Sequence, residues 1–254
     1  MRPVKTTAIY FSATGTNMRS VCSIARVFSE RIGLFDVTLP DPYLMDVTFG
    51  PEELVVIGAP VYGGRIYEGA SKRFEHFHGT NTLCIVTVTY GNRHYDDALL
   101  ELADQMKAQG FRVIAGAALV GQHTFGDIQK GRPNAADMKE DEEFAREVLA
   151  RLAADDLSEP ELPGNRPYKE GGHGGSFRPL TDESCNGCGM CAMDCPVGAI
   201  SLDGRTISDA CISCFRCIQG CPSHSKHMND PKYLAFAEMF TKKLAERREN
   251  AYWL

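Results

Sequence analysis

The sequence predicts an α/β fold: a doubly wound, five-stranded parallel sheet, followed by a small α+β region organised by cysteine. Three observations predict it. Apolar runs of strand length alternate with helical patterns over the first 157 residues. Composition then changes abruptly. Finally, eight of the ten cysteines fall in two runs of identical spacing near the end of the chain.

The strand-like runs are VKTTAIYF (4 to 11), LFDVTL (34 to 39), ELVVIGAP (53 to 60), TLCIVTVTY (82 to 90) and FRVIAGAALV (111 to 120). They are β-branched and almost continuously apolar, which suits parallel strands covered on both faces. Helical patterns separate most of them, at 17 to 32, 69 to 77 and 95 to 109. A further helix runs from Asp137 to about Leu157, with Phe144, Val148, Leu149 and Leu152 on its apolar side. The segment 40 to 51 holds three prolines and a glycine and reads as a loop. Strands alternating with helices imply a parallel sheet with helices on both faces.

After residue 157 the segment SEPELPGNRPYKEGGHGGSFRPLTD carries four prolines and five glycines, the composition of a linker. Residues 231 to 250 read as a terminal helix that Pro231 can start, with Tyr233, Phe236, Ala237 and Phe240 on one face. The expected organisation is therefore a main domain at 1–157, a linker at 158–180, a cysteine region at 181–230 and a C-terminal helix at 231–254. The cysteine region is too short and too poor in large apolar residues to fold without its metal.

Bulk properties narrow the partners. Net charge is -6, pI is about 5.7 and no basic run appears. That argues against a nucleic-acid partner, which needs Lys and Arg in excess on one face. The N-terminal apolar stretch is too short for a signal peptide, and no run has the length of a membrane span. The expectation is a cytoplasmic chain, and homodimerisation stays open. Cys22 and Cys84 lie outside the runs and read as small buried hydrophobes.

The runs are CNGCGMCAMDCP (185 to 196) and CISCFRCIQGCP (211 to 222). Cys-x2-Cys-x2-Cys-x3-Cys-Pro is an iron–sulfur spacing in which the fourth cysteine of each run serves the other cluster. Applied here, cluster I takes Cys185, Cys188, Cys191 and Cys221, and cluster II takes Cys211, Cys214, Cys217 and Cys195. Structural zinc is the alternative, but zinc sites favour paired Cys-x2-Cys knuckles over a triple run repeated twice.

Three loops follow strand ends, where ligands of open α/β sheets bind. After the first strand come Ser12, Ala13, Thr14, Gly15, Thr16 and Asn17, then a helix. Such a turn offers backbone N–H groups, hydroxyls and a helix N-terminus to an anion, although it also suits ordinary capping. The third strand ends in Pro60, Val61, Tyr62, Gly63 and Gly64. The fourth ends in Thr89, Tyr90, Gly91, Asn92, Arg93, His94, Tyr95 and Asp96. Each puts a tyrosine beside glycine, able to cover a flat ring. The long loop 121 to 137 carries His123 and Phe125, which border either this site or the cysteine region unless the loop is merely surface. His224 and His227 flank the last run and read as exposed.

Residues 180 to 224 resemble bacterial two-cluster ferredoxins, a match that CPVGAI after the first run strengthens. Residues 4 to 155 resemble flavodoxin. The whole chain is similar to fused flavodoxin–ferredoxin proteins of anaerobes, including the phrase YGNRHYDDALLEL. The resemblance implies two [4Fe-4S] clusters and FMN, with phosphate on Ser12, Thr14, Gly15, Thr16 and Asn17. The ring would lie between Pro60, Val61, Tyr62, Gly63 and Gly64 on one side and Thr89, Tyr90, Gly91, Asn92, Arg93, Tyr95 and Asp96 on the other. The implied function is electron transfer between FMN and the clusters in low-potential metabolism, with redox proteins as partners. A flavin-dependent reductase of a small substrate, with His94, His123 or Tyr95 as acid, is the alternative; a redox sensor is a third. The only tryptophan is Trp253, so no tryptophan falls in a flavin loop.

Overall fold

A computed structural model describes residues 3 to 254; the first two positions of the 1–157 span lie outside the described residues. The elements in chain order begin with β1 (Lys5–Tyr10), α1 (Thr16–Phe28), β2 (Ile32–Asp36), β3 (Val47–Phe49), β4 (Glu53–Tyr62) and β5 (Arg65–Ile66). Next come α2 (Glu68–Phe74), β6 (Phe77–Gly79), β7 (Thr82–Tyr90), α3 (Ala98–Ala108), β8 (Phe111–Val120) and α4 (Ala135–Ala153). The remainder is β9 (Leu180–Thr181), α5 (Met190–Met193), α6 (Arg216–Gln219), β10 (Lys226–His227), α7 (Pro231–Lys243) and β11 (Ala251–Trp253).

The main sheet runs β11-β8-β7-β4-β1-β2. Its five long strands pair in parallel. Counted in chain order, those five stand 2-1-3-4-5, the flavodoxin-like order, with a switch point between β1 and β4. The apolar runs made this outcome necessary. Leu54, Val55, Val56 and Ile57 are all fully buried in succession, so β4 needs cover on both faces. Val21, Ile24 and Phe28 of α1 and Phe144, Val148 and Leu152 of α4 cover one face. Ala70 and Phe74 of α2 and Leu99, Leu102 and Met106 of α3 cover the other. At Gly58 a Cβ would meet Val21 Cγ2 at 2.3 Å, so glycine lets α1 lie close on the sheet.

Local signals set the boundaries. Asn134 caps α4 by accepting from the backbone of Ala136 and Asp137, while Asp137 accepts from the Asn134 N–H, a full capping box. Helix α1 stops at Phe28, short of the expected 32, and β2 begins at Ile32 rather than 34. The expected loop 40 to 51 contains β3, which pairs with β6.

Two expectations change more substantially. The C-terminal segment 231–254 is only partly helix. Helix α7 ends at Lys243, and β11 joins the main sheet antiparallel to β8. Tyr252 stacks on Phe144 at 4.9 Å, and Trp253 packs edge-on to Tyr95 at 6.0 Å. The segment 158–180, of linker composition, is strapped to the main domain. The N–H groups of Asn165 and Lys169 donate to Asp97, that of Gly172 to the Tyr62 carbonyl, and Arg65 donates to the Lys169 carbonyl. Composition reports chain stiffness, not where backbone donors find acceptors.

Candidate functional site

The loop after β1 is shaped by its own polar groups. Gly15 takes a left-handed φ of 79° at the N-cap of α1. The Ser12 hydroxyl accepts from the Met18 N–H at 3.0 Å, and the Ser12 N–H donates to the Thr38 hydroxyl at 2.8 Å. Asn17, buried, donates to the Phe11 carbonyl and accepts from the Thr89 hydroxyl at 3.0 Å, tying β1's loop to β7. Thr14 and Thr16 stand half-buried between these ties.

This loop floors a cleft of about 920 Å³ including its open mouth. Its walls are Pro60, Val61, Tyr62 and Gly63 on one side and Thr89, Tyr90 and Gly91 on the other. At Gly91 a Cβ would lie 2.3 Å from the His123 ring, so glycine admits that histidine to the wall. The cleft thus sits at the carboxyl ends of β1, β4 and β7, beside the switch point. Its size and few convergent polar groups suit a flat ligand with one anionic end.

Some expected ring-site residues turn away. Asn92 is buried and spends its amide on the C-terminal tail: it donates to the carbonyls of Leu244 and Glu246 and accepts from the Arg248 N–H. Asp96 pairs with Arg93 and Lys169, holding the strap. Tyr95 packs among Tyr90, His94 and Trp253. Gly64 backs onto Asp96. Asn92, Arg93, Tyr95, Asp96 and Gly64 lie outside the cleft lining and make their contacts with the tail, the strap and one another. Gly15 shapes the loop rather than the wall.

Other residues complete the cleft. Gln122, His123, Thr124 and Phe125 come from the loop after β8, so that loop is more than surface. His123 Nδ1 accepts from the Phe125 N–H at 2.8 Å. Burial, helped by the Arg93 charge, pushes its pKa down to about 4, so the ring is neutral at neutral pH. His94 accepts from the Asp96 N–H and lies outside the cleft. His173, Gly174 and Gly175 come from the strap, and Ile212, Ser213 and Cys214 from the second cysteine run. Glycine spacing in a linker-like segment could have hinted at the former; no local signal points to the latter.

Each cysteine set surrounds its own cavity. Cys185, Cys188, Cys191 and Cys221 line one of about 290 Å³, with Gly204, Ser225 and Lys226. Cys195, Cys211, Cys214 and Cys217 line one of about 300 Å³, with Val197, Ile200, Phe215 and Arg216. The fourth cysteine of each run therefore stands with the other run's first three. Among the described residues no three or more His, Cys, Asp or Glu side chains converge as on a single ion. Thiols set around a cavity fit a cluster better than one zinc. Burial raises Cys214 to about 11 and Cys217 to about 12, so these thiols need a metal to hold them as thiolates. At Cys221 burial is outweighed by hydrogen bonds from Ser225 and Ser223, which bring it down to about 6.

Comparison with known proteins agrees in part. A family model described as 4Fe-4S binding domain matches residues 180–201. That match falls in the cysteine region, and the main sheet has the flavodoxin-like strand order. An uncharacterized protein of Methanocaldococcus jannaschii is 28% identical over 104 residues, covering 38% of this chain and 69% of that one. A flavodoxin from the domain Archaea aligns with 59% of this chain and 99% of its own, at 12% identity and TM-score 0.43. Flavodoxin 1 from Bacillus cereus aligns with 58% and 99%, at 16% identity and TM-score 0.40. Rubredoxin oxygen:oxidoreductase from Desulfovibrio gigas aligns with 60% and 38%, at 15% identity and TM-score 0.40. The 4Fe-4S match supports a redox role with an iron–sulfur centre. Among the described residues, no helix is long and apolar enough to cross a membrane.

The cysteine region packs against the main α/β region. Ile212 and Cys214 belong to the same apolar core as β4, β7 and α3. Arg216, beside the second cavity, donates to the Ala13 carbonyl of the β1 loop at 2.9 Å, and Arg73 donates to the Pro196 carbonyl at 2.6 Å. A cluster of rings closes the outer side. Phe125 meets Phe177, Phe215, Tyr233 and Phe236 at centroid distances of 5.5 to 6.1 Å.

Proposed function

We propose that this chain relays electrons between FMN and two [4Fe-4S] clusters, serving low-potential metabolism in the cytoplasm with redox proteins as external partners. One observation carries the reading. Cys214 lines both the cleft and the second cysteine cavity. A flavin exchanges electrons in pairs or singly, and each cluster is a one-electron couple.

The division of labour follows from the residues. Ser12, Thr14, Gly15, Thr16 and Asn17 present N–H groups and hydroxyls to a single phosphate at the positive end of α1. Pro60, Val61, Tyr62 and Gly63 face Thr89, Tyr90 and Gly91 across the space for the ring. Tyr62 is the tyrosine of these walls best placed to cover it. Burial, with Cys214 and Tyr67 nearby, raises its pKa and keeps its hydroxyl neutral. Neutral His123 adds no charge to the wall. Cys185, Cys188, Cys191 and Cys221 hold cluster I; Cys211, Cys214, Cys217 and Cys195 hold cluster II. The flavodoxin-like domain spans 1–157 and the cluster domain 181–230, with 158–180 as a strap.

The test is direct. Anaerobic purification should give about eight irons and eight acid-labile sulfides per chain, with one FMN. Stopped-flow reduction by a cluster-side donor should reduce the flavin at a rate independent of protein concentration. Stoichiometric zinc without iron after reconstitution, or a rate rising with concentration, would defeat the reading.

A further inference from the structure

Lys226 is one of the few buried cations in the protein. It is 3% exposed and lies on β10, paired with Thr181 of β9. Its ammonium donates to the Thr181 hydroxyl at 2.6 Å and to the Gly204 carbonyl. Among the described residues no carboxylate stands within ion-pairing distance of it. Asp203 is the nearest acid in sequence on the same wall, but its carboxylate accepts from Ser201 and the Arg205 N–H. Burying an ammonium without a counter-charge is costly, and proteins rarely leave one so.

The cavity beside it explains the cost. Lys226 lines the same 290 Å³ space as Cys185, Cys188, Cys191 and Cys221. Four thiolates around a metal centre carry net negative charge, and the buried ammonium shares that cavity wall with a single carboxylate, Asp203.

We propose that Lys226 is the built-in counter-charge of cluster I and sets its reduction potential above the value that the four cysteines alone would give. The inference rests on the two-cluster reading. Reduction adds one electron and so one negative charge to the cluster. Attraction to a fixed ammonium grows with that charge, so the reduced state gains more than the oxidised one. Cluster II has no lysine on its wall; Arg216 stands there and points its Nη1 to the β1 loop. Lys226 lines the first cavity and not the second, so it acts chiefly on the couple of cluster I. With Cys188 exposed, that cavity lies close to solvent.

The experiment is an anaerobic, EPR-monitored redox titration of the full chain. Iron, sulfide and zinc are counted first, so failure of the two-cluster reading is seen in the parental protein and kept separate. Lys226→Met and Lys226→Gln should shift one couple to more negative potential and move the other less. At a fixed poise, the reduced-to-oxidised ratio of that couple should fall about tenfold, ~59 mV for one electron. Lys226→Arg keeps the charge, and Thr181→Val removes one hydrogen bond while keeping it, so both should hold the parental potentials. Loss of cluster I from both neutral variants, with assembly retained in Lys226→Arg, supports the same dependence on charge. Parental potentials in a fully assembled Lys226→Met, an equal shift in Thr181→Val, or loss of cluster I from the Arg variant as well would overturn it.

Discussion

Replacing Cys195 with alanine tests the crossed arrangement and the relay together. Cys195 sits in the first run, ten residues from Cys185. Its thiol nevertheless lines the cavity of Cys211, Cys214 and Cys217, and it accepts from the Ala199 N–H at 3.3 Å. The cavity of Cys185, Cys188 and Cys191 keeps its fourth thiol, Cys221. Cys195→Ala should therefore remove one cluster, about four of about eight irons, and spare the other. Pairing decides the assignment. Cys195→Ala with Cys211→Ala should still retain about four irons, because both strike one cavity. Cys195→Ala with Cys185→Ala should strip the chain of nearly all iron. Iron and sulfide analysis reads the first part, and stopped-flow reduction of the flavin by a cluster-side donor reads the second. Because Cys214 stands on the cleft wall, losing this cluster should slow flavin reduction at least tenfold while direct chemical reduction of FMN stays normal. The reasoning fails if the two double variants exchange outcomes, or if flavin reduction keeps its parental rate with that cluster lost.

Other perturbations probe single links. Thr14→Glu with Thr16→Glu should weaken FMN binding at least tenfold by removing donors and adding repulsion; equal affinity of the parental protein for riboflavin, read by fluorescence titration, would remove the phosphate role of the loop. Asp141 is buried under Tyr252, which donates to its Oδ1 at 2.9 Å, while Oδ2 has no partner in the structure. Burial raises its pKa from 3.8 to about 6, with hydrogen bonds from Ser20 and Tyr252 opposing and Asp137 and Glu140 assisting. The folded state thus prefers the protonated form: the stability it contributes is full below about pH 3.8 and is lost as pH rises through about 6, on the order of 3 kcal/mol. Urea melts across that window should show the loss in the parental chain and a flatter profile in Asp141→Asn; identical profiles would refute it. Phe125→Ala should cost about 3 kcal/mol and loosen the docked ferredoxin region, seen as faster proteolysis within 158–180; unchanged cleavage would mean that the ring cluster does not hold the two regions together.

How much of this was legible in the sequence depended on the range of the interaction. The five parallel strands could be read because burial on both faces forces a continuous apolar run, and the run is local. The helices between them were legible for the same reason, with ends misplaced where a neighbouring strand took the residues. The loops after β1, β4 and β7 were legible because a sheet of this kind gathers its strand ends at one edge. Within those loops the sequence could not say which polar side chain faces the cleft. Asn92 and Asp96 look as fit for a ligand as Asn17 does, yet Asn92 is committed to a carbonyl 152 residues away.

By itself, then, the sequence determined the five parallel strands, the polar turn after β1 and the two cysteine runs of one spacing, because each is a matter of spacing along a few tens of residues. Only the tertiary structure decided that the glycine-rich segment is a strap, that β11 returns to the sheet edge, and that the second cysteine run closes the wall of the cleft. Those are contacts between segments far apart in the chain. Their energy comes from apolar area and backbone hydrogen bonds that exist once both partners are folded, so no local pattern of residues records them.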